Sequence, residues 1–433
     1  MAVNRIDIGS GIYLNLIDTA KFKTNHIAVN FAGKLERSTA SMNALLLKVL
    51  KRGSAKYPTM LEVNRSLDMI YSSRVATRVF KDGDTQILGL SLNMLDDAFS
   101  IDGTSISAGV IDLLMDLIYN PLLEDGAFKA VYVESEKKNL KDDIAAKINN
   151  KNAYAMERCI EEMCADEVYS VSELGTSEDV DAITPQSLYK HYLSVISSLR
   201  VEIFFVGRFE AGVLTDKFKR AFAGVKCEGF ADIDTFVKRT AGESREIVEE
   251  MQVNQGKLTL GFRTGSILSD GKWAQFALFN ELFGGSPTSK LFENVREKLS
   301  LCYYCRSIPE AKKGLMLVAC GIENENKQKA QDEILLQLDL INKGDFDEKA
   351  LSDSKKSLIN GYKELNDSAA ALEMWYLRRA MVGMSDSPDD MAAGVASVTK
   401  EQVIEQAGKI TLDTIYFLKG TLTQSEEGAE NEE

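Results

Sequence analysis

The 433-residue chain contains only two histidines, His26 and His191, and neither has a cysteine or a glutamate cluster beside it. A catalytic zinc takes about three protein ligands and a structural one four, so both histidines are expected to be surface or lightly buried residues, not ligands. Positive charge is also short. Fifty-one Lys and Arg stand against 65 Asp and Glu, a net charge of -14, which argues against nucleic acid or an anionic membrane as the main partner, since both need a basic face. Uncharged apolar stretches never reach membrane-spanning length, and the opening MAVNRIDIGSGIYLNL has no signal-peptide apolar core; the expected location is cytoplasmic. Six cysteines do not make a disulfide framework in a chain this long, so a reducing compartment is the simpler account. Cys302-Tyr-Tyr-Cys305 is a CxxC with no second pair at a zinc spacing, and core cysteines of a strand are expected there.

What is present is ample core material. Hydrophobic residues make up 45% and charged residues 27%, the balance of a globular protein, and the length exceeds what one core holds, so two domains are expected. The acidic end, residues 424–433, is expected to be disordered.

Along the chain, a pair of strands, Ile12 to Leu16 and Ile27 to Phe31, is followed by helices at Thr39 to Leu50 and Met60 to Ile70. A hairpin, Arg74 to Phe80 and Thr85 to Leu92, turns at Lys81-Asp-Gly-Asp84, where Asp-Gly tolerates positive φ. Long helical patterns run over Ile106 to Tyr119, Ala127 to Ile148 and Asn152 to Cys164. A helix from Pro185 then leads to Val201-Glu-Ile-Phe-Phe-Val206, a strand of buried type. The same order returns after a linker with an amphipathic piece, Val213 to Phe222. Ala44 to Leu50 matches Ala277 to Phe283, and Val63 to Leu67 with Tyr71 matches Val295 to Leu299 with Tyr303, at offsets of 233 and 232. Strands mixed with helices, without strict βαβ alternation, indicate two duplicated α+β domains, each a mixed or antiparallel sheet with helices packed on one face. The expected boundaries are residues 1–209, a linker at 210–244, and 245–423.

The densest motif lies in the second copy. Gly284-Gly285 breaks a helix, Thr288 or Ser289 can cap the next, and Ser289-Lys-Leu-Phe292, Arg296-Glu-Lys298 and Tyr303 follow. This series resembles the second-half signature of the insulinase-like (M16) peptidases, and with the duplication the resemblance covers the chain up to the tail. It implies that Arg296 and Tyr303 bind the substrate peptide near its scissile carbonyl. Taken alone, an Arg in a last helical turn is usually solvated and a Tyr at a strand start is usually core.

The resemblance fails at one place. Active members carry His-x-x-Glu-His on the first helix, and those positions fall on Ala44, Leu47 and Lys48; the third ligand falls on Asp143, preceded by Glu136. Glu136 and Asp143 are expected on one solvated helix face. No metal, cofactor or catalytic residue of its own is expected. The resemblance implies a zinc-less, non-catalytic subunit in a heterodimer with a zinc-bearing M16 subunit, binding a peptide substrate. A peptide-binding or scaffold protein with no role in hydrolysis is the alternative.

Overall fold

The computed structural model describes residues 1–9, 11–71, 73–223 and 233–421. The acidic end at 424–433 and part of the linker lie outside the described residues. The strands are β1 (Asn4–Gly9), β2 (Ile12–Asp18), β3 (Thr24–Lys34), β4 (Arg74–Asp82), β5 (Thr85–Leu95), β6 (Arg200–Gly207), β7 (Arg245–Met251), β8 (Gly256–Arg263), β9 (Cys302–Glu310), β10 (Leu315–Ile322) and β11 (Thr411–Gly420). The helices that frame the site and the sheets are α1 (Arg37–Leu50), α2 (Ala130–Ala146), α3 (Lys151–Met163), α4 (Trp273–Asn280) and α5 (Ala369–Ala380).

The chain forms two compact units, and neither is a continuous half. One comprises Met1–Ala145, Val171–Asp234 and Glu364–Pro388; the other comprises Ala146–Ser170, Thr235–Lys363 and Asp389–Glu433. Each half therefore contributes a helical segment to the unit built mainly by the other.

In the first unit the strand order is β1-β2-β6-β3-β5-β4. The hairpin closes as expected, with Asp82 opposite Thr85 and Gly83 at φ 61. The two opening strands both form but are not neighbours. β6 lies between them, parallel to β2 and antiparallel to β3, because Ile203-Phe-Phe-Val206 can be buried on both faces and so takes a central place, while the buried Glu202 is paired with Arg5 and Arg200. Alternation along the strands separates two cores. Ile27, Val29, Phe31, Leu90 and Phe205 face α1 and the other helices of the larger core. Ala28, Ala32, Ile87, Phe204 and Val206 face Leu372, Tyr376 and Leu377 of α5.

A buried ion pair pins α5. Glu373 is fully buried; it accepts from Asn30 Nδ2 (3.0 Å) and pairs with Arg78, while His26 Nε2 stands 3.8 Å from its second oxygen. Burial pushes this carboxyl up, but His26 and Arg78 outweigh burial and hold it below the usual glutamate value. His26 is thus a buried residue, bonded through Nδ1 to Asn93 (2.8 Å), and not a surface one. Glu373, supplied from the far end of the chain, is what makes a buried histidine tenable there. His191 is half-buried and bonds Asn43 Oδ1 through Nε2 (2.7 Å).

The second unit repeats the arrangement. Its order is β9-β10-β8-β11-β7, with β11 parallel to β7 and antiparallel to β8, as β6 is to β2 and β3. α4 follows β8 as α1 follows β3, so the repeated helices occupy equivalent places. Here α3 covers the face opposite the larger core, where Ala155, Cys159 and Met163 meet Leu317, Tyr416 and Leu418. Again a buried ion pair holds the exchanged segment: Arg263 contacts Glu167 at 2.8 Å and Asp413 at 2.9 Å, and Lys313 reaches Glu167 at 2.8 Å.

Candidate functional site

The first candidate position is the face of α1 that would carry a zinc motif. Ala44 and Leu47 are buried in the core, and Lys48 extends toward α2 and pairs with Asp143 at 2.6 Å. The fold therefore brings together the positions that the resemblance equates with ligands. The groups on them do not fit the metal. A methyl, an isobutyl and an ammonium offer no lone pair at neutral pH, and the one carboxylate is already paired with a cation. Glu136 departs from the expected solvated face: it is buried, paired with Arg52 and accepting from Asn139 Nδ2 (3.0 Å). α2 rolls this side under Arg52 and leaves Asp143 exposed about two turns further on.

The second candidate position is built by α4 and the turns after it. Gly284 is required by close approach, since a Cβ there would lie 2.7 Å from both the Ser307 backbone nitrogen on β9 and Leu291 Cδ1. Ser289 then caps the next turn through Phe292 N (3.4 Å). Residues Phe292–Lys298 are wound wider than an α-helix, a winding that Leu299 N continues by bonding Asn294 O (3.2 Å), and the exit is wider still, with Leu301 N bonding Val295 O (3.1 Å). Ser300 adopts φ 50, a left-handed conformation that a side chain rarely takes. Wide turns and single strained residues of this kind occur often at functional sites.

These turns present the two residues singled out by the motif. Arg296 is half-exposed, its guanidinium 4.6 Å over the Phe292 ring and its Nε 3.6 Å from Glu297. Tyr303 lies on a bulge of β9, the edge strand of its sheet, and is 64% exposed. Its hydroxyl donates to Glu323 (3.2 Å), and this bond raises the phenol above its ordinary value, so it keeps its proton at neutral pH. Tyr304, by contrast, is half-buried and bonds Asn152 at 2.6 Å. Of the two tyrosines, the one that the motif selects is the one without a packing role.

One feature was not legible beforehand. Cys302 and Cys305 are core cysteines as expected, but Cys320 on β10 joins them. The signal was a cross-strand register, which spacing along one strand does not reveal.

Two α+β repeats share one order over five equivalent strands, and with Ala44, Leu47 and Lys48 at the positions where the resemblance expects zinc ligands they agree with a peptidase-like chain. Residues 182–358 match the family described as "Peptidase M16 inactive domain". The chain is 33% identical over 411 residues to "Probable inactive metalloprotease YmfF" of Bacillus subtilis (strain 168), covering 95% of this chain and 96% of that protein. Among solved structures, a conserved protein from Enterococcus faecalis V583 superposes with a TM-score of 0.89 at 28% identity, over 98% of this chain and all of that one. A peptidase M16 inactive domain from Pseudomonas fluorescens shares the fold, with a TM-score of 0.79 at 18% identity over 98% and 100% of the two chains. The chain belongs to the M16 peptidase family. Among the described residues, no helix is long and apolar enough to cross a membrane.

Proposed function

We propose that this chain is the non-catalytic, substrate-binding subunit of a heterodimeric, cytoplasmic M16-type peptidase, and that Arg296 and Tyr303 bind a peptide beside the zinc of the partner subunit. The observation that carries this reading is the exposure of Tyr303. A tyrosine kept for packing would be buried; this one stands on an edge strand with a protonated hydroxyl. A phenol and a guanidinium aimed at one peptide carbonyl stabilise the negative charge that grows on its oxygen, and they do so without reorganising during the reaction. β9 supports the same role, because an edge strand offers backbone groups along which an extended peptide can lie.

The test uses the assembled pair. Tyr303→Phe removes one hydroxyl, and Arg296→Lys keeps the charge but loses the planar fork. Each variant is mixed with the zinc-bearing subunit, assembly is confirmed by sedimentation, and cleavage of a peptide is followed. Loss of one preorganised donor is expected to lower turnover roughly 100- to 1000-fold. Near wild-type turnover in both assembled variants would favour a scaffold that takes no part in hydrolysis.

A further inference from the structure

Three thiols cluster under the β9 bulge, next to the residues proposed to clamp the peptide. In an undisturbed strand, residues three apart point to opposite faces, so Cys302 and Cys305 would diverge. The register shift between Cys302 and Tyr304 inserts the extra residue, turns Tyr303 outward and returns both cysteines to the same face. Cys320 sits directly opposite Cys305 on β10. As a result the three sulfurs lie within 4.8 Å of one another. All three line the core beneath the wide turn with Val295 and Leu301, Cys302 being 9% exposed and Cys320 fully buried.

This geometry suits a metal with little adjustment. At a metal–sulfur distance of about 2.3 Å, three thiolates around one ion stand roughly 4 Å apart. Among the described residues no fourth His, Cys, Asp or Glu atom joins the group, and tetrahedral zinc wants four. Soft thiolates in an apolar pocket suit a soft ion content with three ligands, and copper(I) is such an ion. We propose that Cys302, Cys305 and Cys320 form a three-thiolate site for a single copper(I) ion.

Each cysteine ligates as the thiolate, so binding releases the thiol protons to solvent as copper–sulfur bonds form, with no change in oxidation state.

The experiment is anaerobic titration of the reduced full chain with copper(I) against a coloured copper(I) chelator, with X-ray absorption on the loaded protein. Expected are one copper(I) withheld per chain and three sulfur neighbours around it. Cys302→Ser and Cys320→Ala are each expected to lose more affinity than the roughly 10- to 100-fold that outer partners of a metal site carry. Cys320→Ala places a small apolar group in a buried position and keeps the test valid if the serine variant folds poorly. Cys159→Ala, at a buried thiol on the opposite face of the sheet, is expected to bind as wild type. Copper lost entirely to the chelator, retention unchanged by Cys320→Ala, or a four-coordinate zinc held more tightly than copper would each overturn the assignment.

Discussion

Lys48 stands where the resemblance places one of the metal-binding histidines of active members, and its ammonium neutralises Asp143. With zinc supplied, the purified chain alone is expected to cleave no peptide; turnover abolished by Asp143→Asn would return metal chemistry to α1. A half-buried histidine and a buried glutamate both contribute to the pH dependence of stability. Burial holds His191 below the ordinary histidine value, so the folded chain binds fewer protons than the unfolded one near pH 6. That contribution is complete above the unfolded value of about 6.5 and is lost as pH falls from there through the lower folded value. Glu373 is likewise depressed, so its contribution is present above the unfolded carboxylate value of about 4.3 and is lost as pH falls through the lower folded value. Denaturant titrations from pH 8 to 3 are expected to show two steps, with His191→Gln flattening the upper and Glu373→Gln the lower. Glu373→Gln also leaves Arg78 without its counter-charge and is expected to cost about 3 kcal/mol at pH 7. Arg296 and Tyr303 were legible from their motif spacing. The burial of His26 and Glu136 was not, because it comes from Glu373 and Arg52, brought to them by the fold from elsewhere in the chain.

At the scale of elements, two glycines make opposite predictions from the same change. Gly284→Ala puts a Cβ against the β9 backbone and Leu291, and overpacking of this kind costs about 1–3 kcal/mol. Gly361 lies exposed inside the helix Glu348–Glu364 with nothing within 4 Å of a Cβ. There Gly361→Ala is expected to stabilise by about 0.5–1 kcal/mol, through the helix preference of alanine. Urea midpoints of the two variants should move in opposite directions. The helix break at Gly284 could be read from sequence, but its cause could not: spacing announces a turn, whereas the approach of β9 belongs to the packed state. The same limit hid Cys320, whose partners were set by register across two strands.

For the molecule as a whole, the duplication was legible because repeated apolar spacing survives in both halves, and the repeated strand orders follow it. The exchange of α3 and α5 was not. An amphipathic helix records that one face is buried but not which sheet buries it. The exchange predicts that residues 1–209 expressed alone expose Ala28, Ile87, Phe204 and Val206, bind a hydrophobic dye and melt without a sharp transition. Adding a peptide spanning residues 364–388 is expected to restore a cooperative melt and reduce dye binding. A compact, dye-silent fragment would mean that the exposed face needs no cover.

The exchange also has a consequence in time. A ribosome releases β6 long before it makes α5, and at about 5–20 residues per second the delay is on the order of ten seconds. During that interval the first sheet is hydrogen-bonded but open on one side, a state that chaperones hold and aggregation threatens. A stop codon anywhere before α5 therefore damages the half already translated as well as the half that is missing.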